Sequence, residues 1–233
     1  MTDRTGGDSF ARRLDAVRDR IGSAVADPAS VRIVAVTKGF GAEAVEMARM
    51  AGLADIGENY ADELVAKAAA VRDAAGRETA PGVPPVWHFL GAVQRNKVAR
   101  LAPVVEWWQG LARPEEGVAI ARRSPGATVL VQVDVTGRPG RGGCPPAGVP
   151  ALVAELADQG LVVAGLMAVG PPGPPEDARP GFALVSTLAD RLDLRVRSMG
   201  MTDDLEVALS EGSTMVRLGR ALFGPRPSPG RTS

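Results

Sequence analysis

Short apolar, β-branched segments alternate with helix-period stretches along this chain of 233 residues. That alternation restricts the fold more than any other feature. Parallel strands covered on both faces read as continuous apolar runs, and each needs a helical crossover to the next. The first such run is VRIVAVT, residues 31–37. Seven more strands are expected at 53–57, 86–91, 104–109, 128–135, 161–169, 194–200 and 214–219. Between them apolar residues recur at helical spacing over 42–52, 60–74, 94–102, 114–123, 149–159, 182–192 and 203–212. A further helix is expected over 8–25, where Phe10, Leu14, Val17, Ile21 and Val25 lie three or four apart. Residues 171–180, PPGPPEDARP, read as a turn-rich loop with little regular structure.

Eight such units in roughly the 250 residues typical of the fold predict a single (β/α)8 TIM barrel with an extra N-terminal helix. An open doubly wound sheet is the alternative. No G-x-G-x-x-G follows the first strand, which weakens a dinucleotide-binding reading. One domain is expected over residues 1–226. The Pro/Gly/Ser-rich tail, 227–233, is expected to be disordered.

Composition narrows the function. The chain carries 27 acidic and 27 basic residues, so a nucleic-acid footprint is not expected. One Tyr and three Trp offer little surface for stacking bases. Cys144 is the only cysteine, which rules out an intrachain disulfide and suits a reducing cytoplasm. With His88 as the only histidine, no Cys/His metal cluster is expected. Residues 1–10 lack the apolar core of a signal peptide. No apolar run approaches the ~20 residues of a membrane span. A cytoplasmic protein without a membrane partner is the expectation.

The positive charges are lopsided: 24 are Arg, and the only lysines are Lys38, Lys67 and Lys97. Each is a candidate for chemistry a guanidinium cannot do, such as losing a proton or forming an imine. The active face of a barrel lies at the C-terminal ends of its strands. Lys38 follows strand one, where burial would lower its pKa and leave an amine able to form a Schiff base with an aldehyde. The bland alternatives are a structural lysine paired with Glu58 or one that snorkels to solvent. Ser198, Met199 and Gly200 end strand seven, and Arg217 to Gly219 end strand eight. Loops there frequently hold phosphate. Backbone N–H groups beside glycines and the Ser198 hydroxyl would supply donors, with Thr202 capping the next helix. Lys38 and this turn together point to a phosphorylated aldehyde, with pyridoxal 5′-phosphate the obvious one. Cys144 reads as filler, and Lys67 as a residue on a polar helix face. His88 reads equally as mouth or core.

These residues carry a resemblance. The segments VAVTK, DIGENYADEL, WHFLGAVQRNK, QVDV, GLMAV, SMGMTDD and STMVRLGRALFG, in this order, resemble the YggS/PROSC family of pyridoxal phosphate homeostasis proteins. These are barrels like the N-terminal domain of alanine racemase. The resemblance implies a fold-type-III-like pyridoxal phosphate barrel and carries roles over residue by residue. Lys38 matches the lysine that forms the Schiff base. Asn59 matches the asparagine near the cofactor ring. Ser198, Gly200 and Met201 match the phosphate-binding turn, and Gly219 and Arg220 the second phosphate contact. Arg217 matches the arginine beside the pyridine nitrogen, which makes the ring a weak electron sink. The family's work would be carrying the cofactor, without a dedicated reaction. Pyridoxal phosphate-dependent apo-enzymes would be its partners, and a monomer is expected. The alternative is a low-activity amino-acid racemase with Lys38 as one base and His88 or solvent as the other. The sequence departs from the family at Ala92, at 136–141 and at Arg220, where His, a more acidic run and a small residue are common.

Overall fold

The computed structural model describes residues 4–75, 82–138 and 142–226. Eight parallel strands close into one barrel in chain order. They are β1 (Arg32–Val36), β2 (Asp55–Glu58), β3 (Val86–Phe89) and β4 (Trp107–Leu111). The other four are β5 (Thr128–Gln132), β6 (Val162–Met167), β7 (Val196–Ser198) and β8 (Met215–Leu218). Strands β8 and β1 complete the ring, with Arg32 beside Met215 and Ala35 beside Leu218. The expected barrel is therefore borne out, and the open sheet is not.

Nine α-helices lie among the described residues. The first is α1 (Arg4–Ala24). Those that follow the strands in turn are α2 (Ala42–Met50), α3 (Ala61–Ala75), α4 (Arg95–Leu101), α5 (Pro114–Ala121), α6 (Val149–Asp158), α7 (Arg179–Arg191), α8 (Leu205–Ser210) and α9 (Arg220–Phe223). Sequence periodicity did not give α9, because one turn is too short to show a period. It is also too short to cover the barrel wall beside β8. Helix α1 takes that place, packing on α8 and α9. Its stripe of Phe10, Leu14, Val17 and Ile21 is buried, and the Phe10 and Phe223 rings lie 5.2 Å apart.

Most boundaries moved by a few residues, and three of the shifts have a visible cause. Strand β4 begins at Trp107 rather than 104, because Val104 and Val105 donate to the Leu101 carbonyl in a turn that ends α4. The loop over 171–180 contains a 3-10 turn, Pro175–Ala178, that runs straight into α7. Pro at the first helical position is compatible with that geometry, so prolines read as breakers here act as starters. Residues 203–204 fall outside α8, whose N-cap is Asp204. The tail expected at 227–233 lies outside the described residues, as does part of the loop at 139–141.

Inside the barrel Val34, Leu130, Met167 and Met215 form an apolar layer. Polar residues share that interior. Asp55, His88, Gln109, Ser198 and Arg217 occupy strands β2, β3, β4, β7 and β8, and the last four are buried.

Candidate functional site

The C-terminal ends of β7, β8, β1 and β2 are neighbours around the barrel. Register fixes which residues meet there. Val36 lies beside Gly57, so Lys38 and Asn59 leave adjacent strands two residues later. Ala35 lies beside Leu218, so Gly219 follows next to the end of β1. The Arg217 N–H donates to the Gly200 carbonyl at 3.0 Å, and the Ala221 N–H to Thr202 Oγ1 at 3.2 Å. These two bonds join the loop after β7 to the loop after β8. Thr202 therefore serves this junction rather than capping α8.

Lys38 is half-buried just past β1. Its ammonium makes no hydrogen bond or ion pair among the described residues. Desolvation pulls its pKa below the ordinary lysine range, and the charges of Arg226 and Arg217 add to this against Glu58 and Glu63. The Glu58 pairing considered from sequence is taken by another lysine. Lys67 Nζ donates to Glu58 Oε1 at 2.5 Å, to the Thr37 carbonyl at 2.8 Å and to Glu63 Oε2 at 3.1 Å. Thr37 Oγ1 donates to the same Glu58 oxygen at 2.6 Å, and the Gly39 N–H donates to Glu63 at 2.9 Å. Lys67 is 5% exposed, so it is a buried brace under the turn that carries Lys38. The other Glu58 oxygen, Oε2, is buried without a hydrogen-bond partner among the described residues, and burial raises this carboxyl's pKa.

Two strands away around the mouth, after β7, Gly200 has φ +92°, and a Cβ there would stand 2.6 Å from the Ala208 Cβ. Only glycine fits that turn. The backbone N–H groups of Gly200, Gly219 and Arg220 have no acceptor among the described residues. The Met201 N–H is taken by Asp204 Oδ1 at 2.6 Å. The Arg220 side chain is exposed and paired with Asp203. Asn59 is half-buried, and its carbonyl fills the space a Cβ of Gly91 would need.

Ser198 is placed differently from the expectation. Its hydroxyl donates inward to Gln109 Oε1 at 2.7 Å instead of standing free at the mouth. Arg217 is buried and donates through Nη1 to Ser198 O (2.5 Å) and Oγ (2.7 Å), and through Nη2 to the Ala168 carbonyl at 2.8 Å. Burial pushes this guanidinium down to about 10, so it is still a cation at neutral pH. His88 is a core residue. Its Nε2 meets Asp55 Oδ1 and its Nδ1 meets Gln109 Nε2, each at 2.8 Å. Cys144 is buried and its thiol is pushed up by burial, as suits filler. Lys97 pairs with Asp62 on the surface.

Sequence reading missed Lys67, Gln109 and Asp204. The scarcity of lysine was the one signal that could have singled out Lys67. No group of three or more His, Cys, Asp or Glu among the described residues could hold a metal. A groove of about 750 Å³ between α4 and α5, lined by Arg95, Asn96, Glu115 and Arg122 among others, lies on the barrel's flank.

Comparison with known proteins decides the family. The family described as alanine racemase, N-terminal domain, matches residues 8–227. The chain belongs to that family. Its relatives include a pyridoxal phosphate homeostasis protein of Pseudomonas aeruginosa. That protein is 38% identical over an alignment of 231 positions that covers 95% of this chain and 96% of the relative. The structure of PipY from Synechococcus elongatus with pyridoxal phosphate bound superposes with a TM-score of 0.77 at 28% identity. It covers 92% of this chain and all of that one, at 100%. The resemblance to pyridoxal phosphate homeostasis proteins is thus borne out at the level of family. Alanine racemase from Corynebacterium glutamicum shares the fold, with a TM-score of 0.69 at 16% identity over 96% of this chain and 62% of that one.

Proposed function

We propose that this chain binds pyridoxal 5′-phosphate on Lys38 and serves the homeostasis of that cofactor in the cytoplasm. One observation carries the reading. Among the described residues, an amine without a partner and three backbone N–H groups without acceptors stand on contiguous strand ends. They fit an anionic aldehyde: the amine takes the carbonyl end and the amides take the phosphate. When bound, the cofactor supplies that aldehyde carbon and that phosphate.

The chain's own residues divide the work. Lys38 holds its amine ready for attack because burial disfavours the ammonium. Lys67 fixes the turn that presents it. The N–H groups of Gly200, Gly219 and Arg220 line the phosphate side, as a concave set of backbone donors does. Met201, whose N–H is held by Asp204, contributes its half-exposed side chain to the rim. Asn59, which leaves the strand next to that of Lys38, would stand on the ring side. Arg217, still charged at neutral pH, would stand at the ring nitrogen and keep it unprotonated, which would disfavour carbanion chemistry. Ser198 serves by holding Arg217 through its carbonyl and hydroxyl.

The carrier reading is supported over a racemase by His88. Both its ring nitrogens are committed inside the barrel, so it is not available as a second base at the mouth. The relatives' printed name, pyridoxal phosphate homeostasis protein, points the same way. Recipient apo-enzymes and a monomeric state belong to this proposal too, as does a domain spanning 1–226. Titrating the protein with pyridoxal phosphate should raise a visible absorbance band, and Lys38→Ala should abolish it. A band of equal strength in the variant would overturn the assignment.

A further inference from the structure

A directed chain of hydrogen bonds crosses the barrel interior beneath the site. Arginine only donates. Arg217 Nη1 therefore donates to Ser198 Oγ at 2.7 Å. The Ser198 proton then goes to Gln109 Oε1 at 2.7 Å. That fixes the Gln109 amide, with its oxygen toward Ser198 and its nitrogen toward His88 Nδ1 at 2.8 Å. An amide donating to Nδ1 makes that nitrogen the acceptor and leaves the proton on Nε2. His88 Nε2 donates in turn to Asp55 Oδ1 at 2.8 Å, and Arg32 pairs with Asp55 from β1. Five residues on five strands, from Arg217 to Asp55, thus share one polarity, and Arg32 on β1 donates into the same terminal carboxylate.

The middle of this chain has no other task in the site. Ser198, Gln109 and His88 are each 0% exposed. Gln109 also lies 3.2 Å from the Met215 sulfur, and the His88 ring stacks on Trp107 at 5.4 Å. The mouth end of the chain is a cation with no carboxylate in ion-pair contact among the described residues, held by two carbonyls and one hydroxyl, with the Asp204 charge acting from a distance. Such a group depends on each acceptor it has. If Gln109 is lost, the Ser198 proton has no acceptor and the hydroxyl is free to turn away from Arg217.

We propose that Gln109 and His88 are positioning residues of the pyridoxal phosphate site. They fix the Ser198 hydroxyl, which fixes the Arg217 guanidinium, and so set the affinity for the cofactor. This rests on the functional reading above, and its test separates the two. Gln109→Leu keeps the size of the side chain and breaks both links. It should weaken binding of pyridoxal 5′-phosphate roughly tenfold, the cost of about one buried hydrogen bond. In a Ser198→Ala background the same change should alter affinity less than twofold, because residues acting through one another are not additive.

A second readout needs no variant. His88 is the only histidine, so ¹⁵N-histidine labelling gives a single ring to follow. The unloaded wild-type protein should show Nε2 protonated and Nδ1 as an acceptor at neutral pH, and both resonances should move on loading. Gln109→Leu that is folded, as its thermal midpoint and circular dichroism show, yet binds with wild-type affinity overturns the inference. An undiminished effect of Gln109→Leu in the Ser198→Ala background overturns it as well. Should Gln109→Leu fail to fold, the His88 resonances decide, and resonances unmoved by loading overturn it. Wild-type protein that takes up no pyridoxal phosphate overturns the functional reading itself.

Discussion

At neutral pH an ordinary lysine is almost wholly protonated, and a protonated amine cannot attack a carbonyl. Lys38 escapes this through its surroundings. Burial and two neighbouring guanidinium groups lower its folded-state pKa, so the neutral form appears at lower pH than in the unfolded chain. Folding stability should accordingly rise as pH climbs through the folded value toward the unfolded one. Reductive methylation followed by mass spectrometry should show Lys38 half-labelled at a pH below 10.5, the ordinary value. A midpoint at or above it contradicts this. Lys67 makes the opposite use of the same side chain, as a buried cation binding Glu58. Lys67→Ala would leave that carboxylate uncompensated and should cost about 3–5 kcal/mol in urea unfolding. A loss under 1 kcal/mol would remove its role as a brace. Of these two, Lys38 was legible in the sequence, because strand and position suffice to place a residue at a barrel mouth. Lys67 was not. Its spacing from Glu63 reads as a solvated helix pair, and its decisive partner comes from β2.

Elements were legible where apolar periodicity ran long enough. The stripe on α1 is one case, and its burial against α8 and α9 follows from the shortness of α9. Leu14 is 2% exposed in that seam. Leu14→Ala should destabilise the protein by about 2–5 kcal/mol, measured by denaturant unfolding, without altering cofactor affinity. Loss of affinity at unchanged stability would mean that α1 belongs to the site. Element ends were less legible. Val104 and Val105 carry strand propensity, yet tertiary hydrogen bonds from the end of α4 hold them in a turn. The prolines before α7 look like breakers until their place at a helix start is known.

The molecule as a whole builds its site from positions 38 to 220, which only barrel closure brings together. Alternating strands and helices declared that closure, and with it the face on which chemistry would occur. They did not declare which side chains point inward. Arg32, Asp55, His88, Gln109, Ser198 and Arg217 form their chain through register alone. Register is set by eight strand pairings rather than by any local pattern. This is why Ser198 looked like a phosphate donor and His88 like an open question. The central claim is that pyridoxal phosphate is held on Lys38. Borohydride reduction of the loaded protein, followed by peptide mapping, tests it among three lysines. The added mass should fall on the peptide containing Lys38. Mass on Lys67 or Lys97 instead, or no retained mass, would contradict the account.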